Sequence, residues 1–340
     1  MKAIKFFAIS AMATAMITSC SSEDELSQSN YPSDNIIRVT AGVNNAKTRA
    51  EGAGTPLKNP LSLTVVNKNE NATLAKKYTY VNKVFTKDDN GAWNCSETLL
   101  WQKDTQPVDI VAFAPAPNGK FNGVYAEGST QPIQSIIYSV SDDQSTLSDN
   151  NDLLYYYAKD FKPGEGLKDK KLSIQFNHAF CMIDIVVTLG TEFNKPNVLK
   201  ESPIVKVTLG GTKIEASVDV KNAASVVTAS EEAAATDITT TKGSFTPAEN
   251  ADKKADPEKN AISRFSCIAI PQTVAGKTFK VSLKTAGKLY EWTSDKEITL
   301  QSGYRYTLNL SMGNDVVLLK GGSISASPWT EGTGGSLETD

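Results

Sequence analysis

The sequence predicts an all-β protein built from β-sandwiches. Three observations carry that expectation. Apolar residues recur at every second position in many short stretches; in Asn35–Val43, Ile37, Val39, Ala41 and Val43 share one face. Gly, Pro, Asn and Asp punctuate the chain between these stretches. No stretch keeps a helical period for two clear turns.

Taken in order, the predicted strands begin with Ile36–Val43. Leu61–Val66, Tyr78–Phe85, Trp93–Trp101 and Val108–Ala114 follow, and Asn90-Gly91 between two of them is a hairpin signal. Ile133–Val140, Leu153–Tyr157 and Leu172–Phe176 come next. A second set runs Cys181–Leu189, Ile204–Leu209, Ile214–Val220, Phe265–Ile270, Phe279–Thr285, Leu289–Trp292, Glu297–Leu300 and Tyr304–Leu310. Val316–Leu319 and Ser323–Ala326 are the last apolar segments. Pro163, Gly164 and Gly166 cluster between the sets, which places a boundary there and predicts domains at 35–165 and 166–312, followed by a segment 313–340. The stretch 223–259 is rich in Ala, Thr, Glu and Lys and poor in large apolar residues, so it reads as an exposed insertion, with a helical turn or two at Ser230–Ala235.

Composition narrows the function classes. The 340 residues are 40% hydrophobic and 21% charged, which suits a globular protein of two domains. The formal net charge is -3; without Lys2 and Lys5 it is -5, from 33 basic and 38 acidic residues, which gives no electrostatic reason to expect a nucleic-acid partner. Lys2 and Lys5 precede an uncharged run, Phe6–Ile17, too short to span a bilayer, so residues 1–19 read as a secretory signal peptide and 20–34 as a flexible tether. Ile17-Thr18-Ser19-Cys20 resembles a bacterial lipobox. That resemblance implies cleavage by lipoprotein signal peptidase, lipid on Cys20 and attachment to the outer membrane. The acidic run Ser21–Glu25 resembles a signal for export to the outer face of that membrane, or is a solvated tether. Cys95, Cys181 and Cys267 remain, with no C-x-x-C, so neither a disulfide framework nor a zinc site is indicated; Cys181 and Cys267 read as buried thiols.

The sequence carries almost no catalytic signature. His178 is the one histidine, and G-x-S-x-G, H-E-x-x-H and G-x-x-x-x-G-K are absent, so no enzyme, cofactor or metal is expected. His178 reads as a hydrogen-bonded structural residue. Asp142, Asp143, Asp149 and Asp152 lack the spacing of a calcium loop and read as solvated. A carboxylate pair for glycoside hydrolysis leaves no local signature. Trp93, Trp101 and Tyr155–Tyr157 read as core.

Several motifs in a shared order resemble one family, the fimbrillin-type pilins that form type V fimbriae of Bacteroidales. They are the lipobox ending at Cys20, the strand Ile36–Val43, Lys47-Thr48-Arg49-Ala50, Trp101 with Val108–Pro115 (VDIVAFAP), Asp152–Tyr155, Phe176–Ile185 (FNHAFCMIDI), Gly303–Tyr306 and Ile324–Gly332 (ISASPWTEG). The resemblance implies two transthyretin-like Greek-key sandwiches in tandem. It implies a prepilin cut by an Arg-specific protease after the first strand, here between Arg49 and Ala50, and joined head to tail to other pilin subunits by donor-strand exchange into a surface fimbrium for adhesion. Loss of the removable strand, with Ile37, Val39, Ala41 and Val43, leaves an apolar groove and open sheet edges. A neighbour's strand repairs both. The expected donor is Val316, Val317, Leu318 and Leu319, then a Lys320-Gly321-Gly322 hinge and Ser323–Ala326, with Ile324 as its apolar residue. Donor and acceptor at opposite ends generate filaments. The rival reading is a surface lipoprotein that binds a glycan or host ligand and never polymerises.

Overall fold

The computed structural model describes residues 30–44, 55–57, 59–116, 136–146, 151–194, 199–222, 226–249, 260–319 and 324–329. Cys20, Arg49 and Ala50 lie outside them. Strand is the dominant secondary structure of the described chain, as the alternation predicts. In order the strands are β1 (Val39–Val43), β2 (Thr55–Pro56), β3 (Leu61–Asn67), β4 (Tyr80–Lys87), β5 (Trp93–Cys95), β6 (Val108–Ala114), β7 (Ile136–Ser139), β8 (Leu154–Phe161), β9 (Leu172–His178) and β10 (Cys181–Leu189). They continue with β11 (Ile204–Gly210), β12 (Glu215–Val218), β13 (Val227–Ala229), β14 (Ile238–Thr239), β15 (Thr241–Thr246), β16 (Ile262–Ala269), β17 (Thr273–Val274), β18 (Lys280–Thr285), β19 (Leu289–Thr293), β20 (Ile298–Thr299), β21 (Tyr304–Met312), β22 (Val317–Leu319) and β23 (Ser325–Pro328). Two short helices, α1 (Ala72–Lys77) and α2 (Pro163–Gly166), interrupt them. Helix α1 starts because the Asn71 side chain accepts from the backbone N–H groups of Thr73 and Leu74. The Asn90-Gly91 signal is realised between β4 and β5, with Gly91 at φ +82.

One sheet has the order β2-β1-β9-β8-β6-β3-β4-β5. Side chains from strands near both of its ends meet in one core, Val39 and Phe85 among them, so the sheet curls onto itself. A second core lies among the sheets β15-β16-β10-β21-β22, with β23 also on β21, β14-β11-β18-β19, and β13-β12-β7. Strand β10 shows the expected alternation: Cys181, Ile183, Ile185, Val187 and Leu189 are buried, while the residues between them are half-buried.

The strands do not divide at residue 165. Strand β9 belongs to the first sheet, and the chain passes from one core to the other between Phe176 and Ala179. Strand β7, early in the chain, pairs with β12 of the second unit. Strand β6 serves both cores. Ile110, Ala112 and Ala114 face one, and Val111 and Phe113 the other. A strand covered on both faces needs apolar residues at consecutive positions, which explains VDIVAFA.

Two expectations are corrected. The stretch 223–259 is not simply an exposed insertion: its described part, 226–249, builds β13, β14 and β15, with Val227, Ile238, Thr240 and Ala248 buried. Small and β-branched residues suffice there because each short strand adds only one or two anchors to a sheet already in place. Ser230–Ala235 forms bends rather than a helical turn, and Ala235 bridges to Lys213.

Candidate functional site at the first strand and the carboxyl-terminal segment

Residues 35–44 fill a slot inside the first sheet. At the start of the slot the chain is bound antiparallel: Ile37 N–H donates to the Leu99 carbonyl at 2.8 Å, and Trp101 N–H to that of Asn35 at 2.8 Å. From Val39 on, β1 runs parallel to β9 in the register Val39↔Leu172 to Val43↔Phe176. Its other neighbour is the two-residue β2, paired as Gly42↔Pro56 and Val43↔Thr55. Ile37, Val39 and Val43 are each 4% exposed, and Ala41 is half-buried. They pack in one cluster with Leu172, Ile174 and Phe176 of β9 and with Leu57, Leu99 and Trp101. Burial of three such side chains is worth about 5–9 kcal/mol. Asn44 closes the strand: its N–H donates to the Phe176 carbonyl at 2.7 Å and its amide Nδ2 to Asn177 Oδ1 at 2.8 Å.

At the front of the strand, Arg38 donates twice to Asp34, at 2.6 and 3.0 Å. That hydrogen bonding holds the Asp34 carboxyl down at about 2. Because the folded value lies below the ordinary one, the contribution of this pair is present at neutral pH and is lost as pH falls toward about 2.

The sequence has four arginines. Arg38 gives its carbonyl to Leu172 N–H, Arg264 lies in β16, and Arg305 lies in β21, where it makes a two-point ion pair with Asp184. A protease requires an extended, unpaired substrate, so these three are poor targets in the folded protein. The fourth, Arg49, lies among residues 45–54, between β1 and β2.

At the other end of the chain, β22 and β23 return along β21, with the registers Leu310↔Leu319 to Met312↔Val317 and Tyr304↔Pro328 to Thr307↔Ser325. Both are edge strands. Of the expected donor residues, Val317 is buried, Leu319 and Ile324 are half-buried, and Val316 and Leu318 face solvent, Leu318 at 59%. Exposed apolar residues on an edge strand are a template for pairing with another chain.

His178 is buried and bonds Asp152 through Nδ1 at 2.8 Å, as a structural histidine should. Sequence reasoning missed what covers it. The Trp329 indole stacks on the imidazole, centroids 3.8 Å apart at 12°, and Trp329 N–H donates to the Gly303 carbonyl at 2.6 Å. A large aromatic after Pro328, in an otherwise small and polar tail, was the available signal. Among the acidic residues, Asp152 is committed to His178, and Asp142 and Asp143 accept from nearby backbone N–H groups.

Cys181 and Cys267 are buried, and burial pushes both thiols far up, whereas Cys95 is half-exposed. The thiolate is the reactive form. With Cys20 replaced by Ser, a thiol reagent is expected to titrate Cys95 in the native protein and to reach Cys181 and Cys267 only after denaturant. Rapid native labelling of all of them would contradict this packing.

The fold thus defines an all-β protein with a slotted first strand and an edge-paired tail. A model of the fimbrillin-like family matches residues 48–329, and the chain belongs to that family. Among solved structures, it is similar to a protein proposed to act in cell adhesion from Bacteroides ovatus, with 17% identity over 87% of this chain and 98% of that one and a TM-score of 0.58. A second, from Bacteroides uniformis and also proposed to act in cell adhesion, gives 14% identity over 88% of this chain and 100% of that one, with a TM-score of 0.52. The tip fimbrial protein Mfa3 of Porphyromonas gingivalis, truncated at its C-terminus, gives 10% identity, 81% and 95% coverage and a TM-score of 0.47. Comparison with curated proteins gave no match.

Proposed function

We propose that this chain is a fimbrial subunit that is exported as a Cys20 lipoprotein, cut after Arg49 and polymerised at the cell surface by strand exchange. It acts as a structural protein rather than an enzyme. Membership of the fimbrillin-like family supports the subunit role. The observation that carries the exchange mechanism is the position of β1. It lies between β9 and the two-residue β2, and its covalent link to β2 runs through residues 45–54, which contain Arg49. Removing it turns β9 into a sheet edge over an apolar floor of Leu172, Ile174 and Phe176. A strand from another copy restores the backbone pairing and the packing together. The partners are then other subunits head to tail, the lipoprotein signal peptidase and an Arg-specific protease, with the lipid holding the precursor at the outer membrane. The test is to treat the full-length protein with an Arg-specific protease and run it unboiled on a denaturing gel. A ladder of multiples is expected. A single band after complete cutting at Arg49 contradicts the proposal and favours a surface lipoprotein that acts as a monomer.

A further inference from the structure

Among the described residues, two ladders run parallel: β1 on β9, and β10 on β21. The second runs without a register shift from Met182↔Arg305 to Leu189↔Met312. It is closed at both ends. Gly303 N–H donates to the Phe180 carbonyl at 2.9 Å at its start, and Gly190 N–H to that of Met312 at 2.8 Å at its finish. Strand β10 is also held on its other side by β16, from Cys181↔Ala269 to Thr188↔Ile262. Ile183, Ile185, Val187, Leu189, Leu308 and Leu310 are fully buried, so water is kept from that face of the ladder. The alternate residues point to the other face. There Arg305 donates from Nε and Nη2 to the two carboxylate oxygens of Asp184, the second at 3.1 Å. This charge-assisted pair ties β21 to β10 near the start of the ladder. Upstream, Asn177 and His178 alone separate Phe176, in the first core, from Ala179, in the second. So short a link has no slack to absorb a pull on β9.

We propose that the β10–β21 ladder is a mechanical clamp that carries tension through the subunit, with the Asp184–Arg305 pair as its lock. This rests on the strand-exchange reading for the source of the tension but not for the geometry. In a filament joined that way, a neighbour's strand pulls on β9, whose chain enters β10 at its amino-terminal end. The subunit's own donor, Val316–Leu319, follows β21 at its carboxyl-terminal end. In a parallel pair those two points lie at opposite ends of the ladder. The strands are therefore dragged past each other, and the hydrogen bonds share the load instead of opening one at a time. An antiparallel pair entered and left in the same way would be loaded at one end and would unzip. Resistance to pulling is set by the unfolding barrier rather than by equilibrium stability. The ion pair fits that role. Its charges give up hydration, so it adds little at equilibrium. Under shear it has to break together with the backbone bonds beside it.

The test pulls single molecules of the full-length, uncut protein with optical tweezers at one loading rate. With Cys20 and Cys95 replaced by Ser, the buried Cys181 and Cys267 leave introduced thiols as the points of attachment. Asn177→Cys with Asp315→Cys loads the β10–β21 ladder from opposite ends. Asn177→Cys with Gln301→Cys loads it from one end. The clamp predicts an unfolding force about twofold higher or more in the first direction than in the second. Equal forces in the two directions overturn it. Adding Asp184→Asn with Arg305→Met to the first pair of attachments is expected to lower the force, and an unchanged force overturns the lock. The comparison of directions leaves the clamp residues untouched, so it decides the proposal even if that double variant does not fold. It also uses the uncut monomer. If cut wild-type protein never gives multiples on a gel, the polymer reading fails, and the two pulling directions still decide whether the ladder resists shear.

Discussion

An Arg49→Ala chain treated with an Arg-specific protease is expected to remain a single monomer band under conditions where the wild type gives a ladder. The difference is all or none because the other three arginines are committed to strands or to their hydrogen bonds. The energetics explain why one peptide bond matters so much. While residues 45–54 are intact, β1 binds its slot intramolecularly, at an effective concentration of about millimolar or more. After the cut it is a separate peptide held by about 5–9 kcal/mol of side-chain burial. Even before the losses of association are subtracted, that corresponds to dissociation constants between about 200 μM and a few tenths of a micromolar. Such a peptide is expected to leave on dilution, and on the proposed mechanism a second copy at high local concentration supplies a strand that stays. A ladder from Arg49→Ala with no cut detected would show that exchange does not need loss of β1.

The second large effect is expected from Phe176→Ala. Phe176 is fully buried on β9, opposite Val43, and its carbonyl accepts from Asn44. Truncating a buried phenylalanine costs about 3–5 kcal/mol through lost transfer energy and the cavity left behind. Here the cavity lies in the floor of the slot, so the loss has two readouts. Denaturant unfolding of the uncut chain should shift by that amount, and the cut chain should accept a neighbour's strand poorly, with a short ladder or none. The exposed Leu318→Ala, by contrast, should leave uncut stability unchanged within about 0.5 kcal/mol. An unchanged unfolding midpoint for Phe176→Ala would show that the slot is packed differently.

Much of this is legible in the sequence because it is local. Ile37, Val39, Ala41 and Val43 at every second position mark β1, and the alternation of Cys181–Leu189 marks β10, without knowledge of any partner. The pairing of β1 with β9 is not local: the register joins Val39 to Leu172, and nothing near either residue records the other. The Pro163–Gly166 cluster reads as a domain boundary, yet it forms the one-turn helix α2 ahead of β9. Proline and glycine report that the chain bends, not which core the next strand joins. Strands β13 to β15 are illegible because a short strand laid on an existing sheet needs few large side chains. Only Val227 and Ile238 in them are buried apolar anchors. At the tail, Val316–Leu319 reads as one apolar block, whereas the structure buries Val317 and exposes Leu318, the alternation of an edge strand.

Strand exchange requires β1 to be replaceable, and amide exchange on β9 reads that property directly. In the intact chain the amides of Leu172–Phe176 that point toward β1 are bonded to it; the Leu172 N–H, for example, donates to the Arg38 carbonyl at 2.8 Å. They should be protected before cutting. They should exchange at least a hundredfold faster in cut monomer separated from residues 20–49, and be protected again in the ladder. Protection that survives complete removal of residues 20–49 in the monomer would mean the sheet closes without a substitute strand, which contradicts polymerisation by strand exchange at this slot.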